Sequence, residues 1–108
     1  MNKFEAVILL SPEISTSIKK NLIDEFSKNI NDMSGKIIDS EDWGLRDLSY
    51  KIENSSKAFY HFFQLELNGN VIKDLNKILN QNENFIRHLF VKVDKHQELP
   101  TKLNNEKK

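Results

Sequence analysis

Apolar and polar residues follow two different repeats along the first half of the chain. Residues 4–10 are apolar except for Glu5, and this run predicts a buried strand because it is too short for a helix. Behind Ser15, a candidate N-cap, apolar residues recur about every four positions, which predicts an amphipathic helix that ends at Gly35. The apolar positions of this helix are Ile14, Ile18, Leu22, Ile23, Phe26, Ile30 and Met33.

The second half of the chain predicts two strands, a helix and a last strand. One strand opens at Lys36 and runs towards Arg46, and a turn at residues 54–56 leads to the strongest strand signal, the aromatic-rich residues 58–67. After a second turn, Asn70 is a candidate cap for a helix that residues 80–84 end. The apolar positions of that helix are Val71, Ile72, Leu75, Ile78 and Leu79. Residues 85–93 form the last predicted strand.

This order, βαββαβ, is that of the ferredoxin-like split βαβ fold. Right-handed crossovers interleave the two halves into a four-stranded antiparallel sheet with both helices on one face, an α+β domain. We assign residues 1–94 to this domain. From Asp94 the apolar pattern ends, and residues 95–108 are expected to form a flexible C-terminal tail.

Alternation within the first and third strands predicts which side chains the helices cover. The more apolar sets are expected under the helices, namely Ala6, Ile8, Leu10, His61, Phe63, Leu65 and Leu67. The opposite face then carries Val7, Leu9, Tyr60 and Phe62, a candidate surface for a partner protein. The alternative interpretation is that these four residues shield one another across the strands. The last strand shows no clear alternation, so its buried face stays open.

Charge and composition limit the function classes. The 108 residues include no cysteine, which excludes disulfides and thiolate metal sites, and no apolar run approaches the ~20 residues of a membrane span. Glu5 lies within the first apolar run, which argues against a cleaved signal peptide, and together with the lack of cysteine this predicts a cytoplasmic protein. Equal numbers of basic and acidic residues, 16 of each, count against nucleic-acid binding unless the cations are unevenly placed or a basic partner shares the contact.

The sequence offers no catalytic constellation, no cofactor motif and no metal site. His61, His88 and His96 fall on separate predicted elements, and neither a phosphate-binding glycine loop nor a nucleophile elbow occurs. Acylphosphatases, small enzymes of this fold, place an arginine in the loop after the first strand, where this chain has Glu13. A carboxylate there would repel an anionic substrate, so we expect no enzyme.

RNA contact has two sources in the sequence. The chain has two arginines, Arg46 and Arg87, and arginine suits bidentate phosphate contact, although a surface salt bridge is the alternative for each. Residues 57–63 partly echo an RNA-recognition strand, but Ala58 and Tyr60 stand where that pattern needs glycine. The alternative function is therefore a stand-alone binder of single-stranded RNA that uses the aromatic residues of the sheet. A protein-interaction module without an RNA role is a third hypothesis, suggested by the neutral charge.

Residues 42–52, DWGLRDLSYKI, resemble the signature of the sixth protein of the bacterial small ribosomal subunit. That signature has a glycine, any residue, a basic residue, a polar or charged one, leucine, a small residue, tyrosine, any residue and isoleucine. The matching positions are Gly44, Arg46, Asp47, Leu48, Ser49, Tyr50 and Ile52. Glu53 departs from the pattern, and the similarity extends over about residues 3–93.

The resemblance implies a structural, non-catalytic protein of a cytoplasmic or organellar ribosome. Family members bind the central domain of the small-subunit RNA as a heterodimer with the small, basic eighteenth protein, which would supply the positive charge that this chain lacks. By position in the family pattern, the RNA contacts are Lys3, Arg46, Arg87 and Lys92. Neither a cofactor, a small-molecule substrate nor a membrane is implied.

Overall fold

The computed structural model describes residues 2–52 and 55–96 of the chain, and its elements follow the predicted order. They are β1 (Asn2–Leu10), α1 (Thr16–Asp32), β2 (Lys36–Ile52), β3 (Ser55–Leu67), a 3-10 turn (Gly69–Val71), α2 (Ile72–Asn80) and β4 (Phe85–Val93). The four strands form one antiparallel sheet in the order β2-β3-β1-β4, which confirms the ferredoxin-like fold. The turn residue Asn54 and residues 97–108 of the predicted tail lie outside the described residues.

Helix α1 begins as predicted and ends by a different device. The Ser15 Oγ accepts a hydrogen bond from the N–H of Ile18 at 3.3 Å, so Ser15 is the N-cap. At the other end the left-handed residue is Ser34, with a φ of 62°, rather than Gly35. Glycine is needed at position 35 for a close approach, because a Cβ there would lie 3.0 Å from the Leu67 Cβ of β3.

The start of the second helical segment corrects the predicted cap. The side chain of Asn68, not Asn70, accepts the capping hydrogen bond, from the N–H of Asn70 at 3.1 Å. A short 3-10 turn follows Asn68, and α2 begins only at Ile72. The prediction failed because both asparagines can cap a helix and sequence spacing does not separate them.

The core lies between the helices and one face of the sheet, as the alternation predicted. Phe26 of α1 is 1% exposed, and its ring centroid lies 4.7 Å from that of Phe63 on β3. Burial of a side chain of this size stabilises the fold by about 1.5–3 kcal/mol. The other fully or nearly fully buried core residues of the strands and helices are Ala6, Ile8, Leu10, Leu22, Ile30, Leu65, Leu67, Leu75 and Leu79.

The register of β4 settles the face that the sequence left open. Val7 of β1 pairs with Leu89, and because directly opposed residues share a face, Leu89 lies on the face without helices. The intervening residues His88 and Phe90 therefore face the helices. The His88 Nε2 lies 2.9 Å from the Asn76 Oδ1 of α2, and Phe90 packs against the core. Neither helix within residues 2–52 and 55–96 is long and apolar enough to cross a membrane.

Candidate nucleic-acid interface

The helix-free face of the sheet carries both arginines. Arg46 pairs with Ala58 of β3, and Arg87 pairs with Leu9 of β1, so the pleat directs both to this face. One cross-strand row runs Gly44, Tyr60, Leu9, Arg87 over all four strands. Neighbouring strands are about 4.8 Å apart, so the row spans roughly 14 Å. The two arginines thus flank one end of a single surface.

The two predicted lysine contacts lie at the other end of the sheet. Lys3 pairs with Glu66 and Val93, roughly 20 Å along β1 from Leu9. Lys92 pairs with Phe4, a core residue, and so belongs to the helix-covered side. Both lysines line a shallow pocket at the sheet end with Asn2 and Asp94. The four predicted cations therefore form two groups, one of arginines and one of lysines.

Trp43 covers the aromatic residues that the sequence placed on this face. Its ring stacks on Phe62, with centroids 5.2 Å apart and planes 9° apart, and on Tyr60 at 6.4 Å. The Trp43 Nε1 donates a hydrogen bond to the Glu41 Oε1 at 3.0 Å. Phe62 is 3% exposed under this ring, so the expectation that it lies uncovered is corrected, whereas Tyr60 is half-buried. Leu9, the β1 neighbour of Tyr60, is also buried, at 7% exposed.

The exposed apolar surface on this face lies on β4 instead. Leu89 is 60% exposed and Val91 is 47% exposed, which makes them the most exposed large apolar residues among those described. Their β1 neighbours are Val7, paired with Leu89, and Glu5, paired with Val91. The sequence did not single out this stripe, because apolar residues occur on both faces of the last strand.

The chain returns to the helix-free face after β4. His96, assigned to the tail from the sequence, has its Nδ1 3.6 Å from the Glu5 Oε2, and its side chain is 12% exposed. Gln64 of β3 donates to the same carboxylate oxygen from its Nε2 at 3.3 Å. The residues just beyond β4 therefore cover part of β1 and β3.

A polar cluster on the opposite side ties α1 to β2 and β3. The Lys19 Nζ donates to the Asp42 Oδ2 at 2.7 Å and lies 4.7 Å from the centre of the Phe59 ring. Burial raises the pKa of Asp42, but hydrogen bonds from Lys19 and from the Gly44 N–H outweigh it and bring that pKa below its ordinary value. The ammonium group of Lys19 is therefore held by the Asp42 carboxylate and by the Phe59 ring.

Burial shifts the pKa values of His61 and His88 in the same direction. Burial lowers the pKa of His61, an effect that Asp42 opposes and Lys19 reinforces. Burial also lowers the pKa of His88. Both nitrogens of His61 are buried without a hydrogen-bond partner among the described residues. Within that same part of the chain, no three His, Cys, Asp or Glu side chains gather as metal ligands would.

Comparison with known proteins finds a matching family and similar sequences. The family model of ribosomal protein S6 matches residues 3–92. Small ribosomal subunit protein bS6 of Rickettsia felis is 37% identical over 103 residues, which cover 95% of this chain and 85% of the relative. The bS6 protein of Christiangramia forsetii is 33% identical over 96 residues, covering 89% of this chain and 86% of the relative.

A solved structure shares the fold. The crystal structure of 30S ribosomal protein S6 from Thermotoga maritima superposes with a TM-score of 0.81, covering 85% of this chain and 87% of that one. The two sequences are 20% identical, so this likeness bears on the fold alone.

The two partly buried histidines, His61 and His88, predict a loss of stability in mild acid. The unfolded chain takes up a proton on each ring at a higher pH than the folded chain, because folding lowers both pKa values from 6.5. The free energy of unfolding should therefore fall as the pH is lowered through about 6.5, where the unfolded chain takes up these protons, as urea denaturation would measure. The double variant His61→Gln/His88→Gln should lose less stability over this drop in pH than the wild type. An equal loss in both proteins would contradict the assignment.

Proposed function

The chain belongs to the ribosomal protein S6 family, and we propose that it is a structural constituent of the small ribosomal subunit that binds ribosomal RNA beside a basic partner protein. The family is structural rather than catalytic. The observation that carries the RNA-binding proposal is the placement of Arg46 and Arg87 on one face of a family-matched sheet. The RNA is that of the central domain of the small subunit, and the partner is the eighteenth small-subunit protein.

Arg46 is suited to a phosphate by its local geometry. Its Nε donates to the backbone oxygen of Trp43 at 3.1 Å, which fixes the plane of the guanidinium group. Its Nη2 is buried and has no hydrogen-bond partner among the described residues. A buried donor without a partner is costly, and a phosphate oxygen would satisfy it with a charge-assisted hydrogen bond. Arg87, across the sheet, supplies the second cation of this surface.

The neutral charge of the chain supports a shared RNA site. Displacement of counterions from phosphates is the main source of affinity for RNA, and it scales with the number of cations in contact. With 16 basic and 16 acidic residues, this chain offers a few placed cations rather than a basic field. A basic partner bound next to them would supply the remaining charge.

The partner is proposed to cover the β4 side of the helix-free face. Leu89 and Val91 expose apolar surface there, next to Val7. Strand β4 is also an edge of the sheet, so its outer backbone groups are available to a further strand. The proposed face still includes Val7, Leu9, Tyr60 and Phe62. The buried pair, Phe62 beneath Trp43 and Leu9, act as support rather than as contact surface.

The burial of Phe62 disfavours the stand-alone RNA-binding module. Recognition of single-stranded RNA on a sheet needs aromatic rings open to the bases. Phe62 is 3% exposed and its ring face is occupied by Trp43. A module of that kind would first have to displace the tryptophan.

Ribosome association is tested by sedimentation. The full chain, expressed with a small affinity tag in its own host, should sediment with small subunits through a sucrose gradient and stay with them in a high-salt wash. Co-purification should recover small-subunit RNA and the eighteenth protein. Recovery of the chain as free protein in every fraction would refute the proposal, and recovery with proteins but no RNA would favour the interaction-module hypothesis.

Arg87 is tested through the salt dependence of binding. Arg87→Ala should reduce the slope of log affinity against log salt by about one unit, because one phosphate contact is removed. The binding partner in this assay is a central-domain RNA fragment with the eighteenth protein. Lys73→Ala, a matched loss of an exposed cation on α2, should leave the slope unchanged. Equal slopes for Arg87→Ala and the wild type would remove Arg87 from the interface.

The exposed stripe of β4 is tested by a charge placed at its centre. Leu89→Asp should weaken binding of the eighteenth protein by about tenfold or more, since a carboxylate would have to be buried against an apolar surface. Folding should be nearly unaffected because Leu89 is 60% exposed. Ile18→Asp, at a 45% exposed residue of α1, is the control. Isothermal titration calorimetry that finds equal affinities for the two variants would place the partner elsewhere.

A further inference from the structure

A bulge in β2 decides the face on which Arg46 lies. Asp42 pairs with His61 of β3 and Gly44 pairs with the next residue, Tyr60, so Trp43 is one residue in excess. Because side chains alternate along a strand, one extra residue exchanges the faces of all that follow. Without the bulge Arg46 would oppose Lys57, on the helix-covered side and next to a like charge.

Two interactions with Asp42 hold the bulge from the helix-covered side. The Asp42 Oδ1 accepts a hydrogen bond from the N–H of Gly44 at 2.8 Å. Gly44 has a φ of 75°, a backbone conformation that would be strained in a residue with a side chain. The Asp42 Oδ2 accepts the Lys19 Nζ at 2.7 Å. The side chains of Lys19 and Asp42 are 15% and 50% exposed, so a partly shielded ion pair connects α1 to the bulge.

The bulge residue itself holds Arg46 on the helix-free side. The Trp43 ring lies flat on Phe62, which fixes the position of its backbone. The carbonyl oxygen of Trp43 accepts a hydrogen bond from the Arg46 Nε at 3.1 Å. One residue thus connects the Lys19–Asp42 pair beneath the sheet to the guanidinium group above it.

We propose that Lys19 and Asp42 are positioning residues for the RNA contact of Arg46, although both lie on the face away from the RNA. This inference rests on the proposed function. The Lys19–Asp42 pair stabilises the bulged register, and the bulged register places Arg46 on the same face of the sheet as Arg87. The guanidinium group of Arg46, whose buried Nη2 has no hydrogen-bond partner among the described residues, is then held on the helix-free face by two residues that never touch the RNA.

The positioning role of Asp42 predicts a change in RNA affinity opposite to the one that its charge alone would predict. Removal of an acidic residue from an RNA-binding protein would by charge alone strengthen binding. Asp42→Ala should instead weaken binding to the central-domain fragment with the eighteenth protein, and reduce the salt slope by about one unit, the same change that is expected for Arg46→Ala. Asp47→Ala, the matched control, breaks an exposed ion pair with Lys57 at 3.8 Å and should bind as tightly as the wild type or more so.

A double-mutant cycle separates positioning from a general loss of structure. Asp42→Ala/Arg46→Ala should bind no more weakly than Arg46→Ala, because Asp42 acts through Arg46. A further loss in the double variant, or wild-type binding by Asp42→Ala, would overturn the inference. Asp42→Asn keeps the acceptor for Gly44 and loses the ion pair, so it should fall between the wild type and Asp42→Ala. If Asp42→Ala fails to fold, Asp42→Asn with Arg46→Ala completes the same cycle.

A readout without RNA distinguishes this inference from the proposed function. Trp43 is the sole tryptophan, so its fluorescence reports the bulge directly. Asp42→Ala should make Trp43 more accessible to iodide and shift the Nε–H resonance of Arg46, whereas Asp47→Ala should change neither. Failure of the wild type to bind RNA would remove the proposed function. Unchanged fluorescence and an unchanged Arg46 resonance in Asp42→Ala would remove the positioning role by itself.

Discussion

A sheet whose residues alternate between two faces, with helices on only one of them, sets the conditions for the rest of this protein. Burial of the apolar side chains of β1 and β3 under α1 and α2 supplies the core, and β1 lies between β3 and β4. Once Ala6 and Ile8 are committed to that core, Val7 and Leu9 must lie on the other side. The helix-free face is therefore fixed residue by residue by the demands of the core, and its uncovered apolar surface has to be shielded by other means or used for binding.

The chain shields one half of that face and leaves the other half exposed. Trp43 lies over Phe62 on the β3 side, and His96 lies against Glu5 near its middle. No comparable cover lies over Leu89 and Val91 within the described residues, which are 60% and 47% exposed. A surface divided in this way is stabilised on one side by its own side chains and keeps an exposed apolar stripe on the other.

Periodicity predicted the element order and the buried faces of β1 and β3, because each depends on many residues acting together. It failed where one residue decides the outcome. The bulge at Trp43 inserts a single residue and leaves no repeat to detect, although the Asp42-Trp43-Gly44 run stands in the sequence. The buried face of β4 could not be predicted because apolar residues occupy both sides of the strand. The burial of Phe62 followed from neither its own type nor its spacing, since it depends on where the bulge places an indole ring.

The choice of arginine at position 46 follows from the geometry that the bulge imposes. The Nε of Arg46 is already engaged by the Trp43 carbonyl oxygen, and the guanidinium group keeps two Nη atoms beyond that bond. A lysine has a single nitrogen on a flexible stem, so engagement by the same carbonyl would leave its ammonium group held near the sheet with no second nitrogen to present. In a chain with 14 lysines and two arginines, position 46 is therefore one where a lysine could not reproduce the observed geometry, because it cannot bond to the Trp43 carbonyl oxygen and keep further nitrogens.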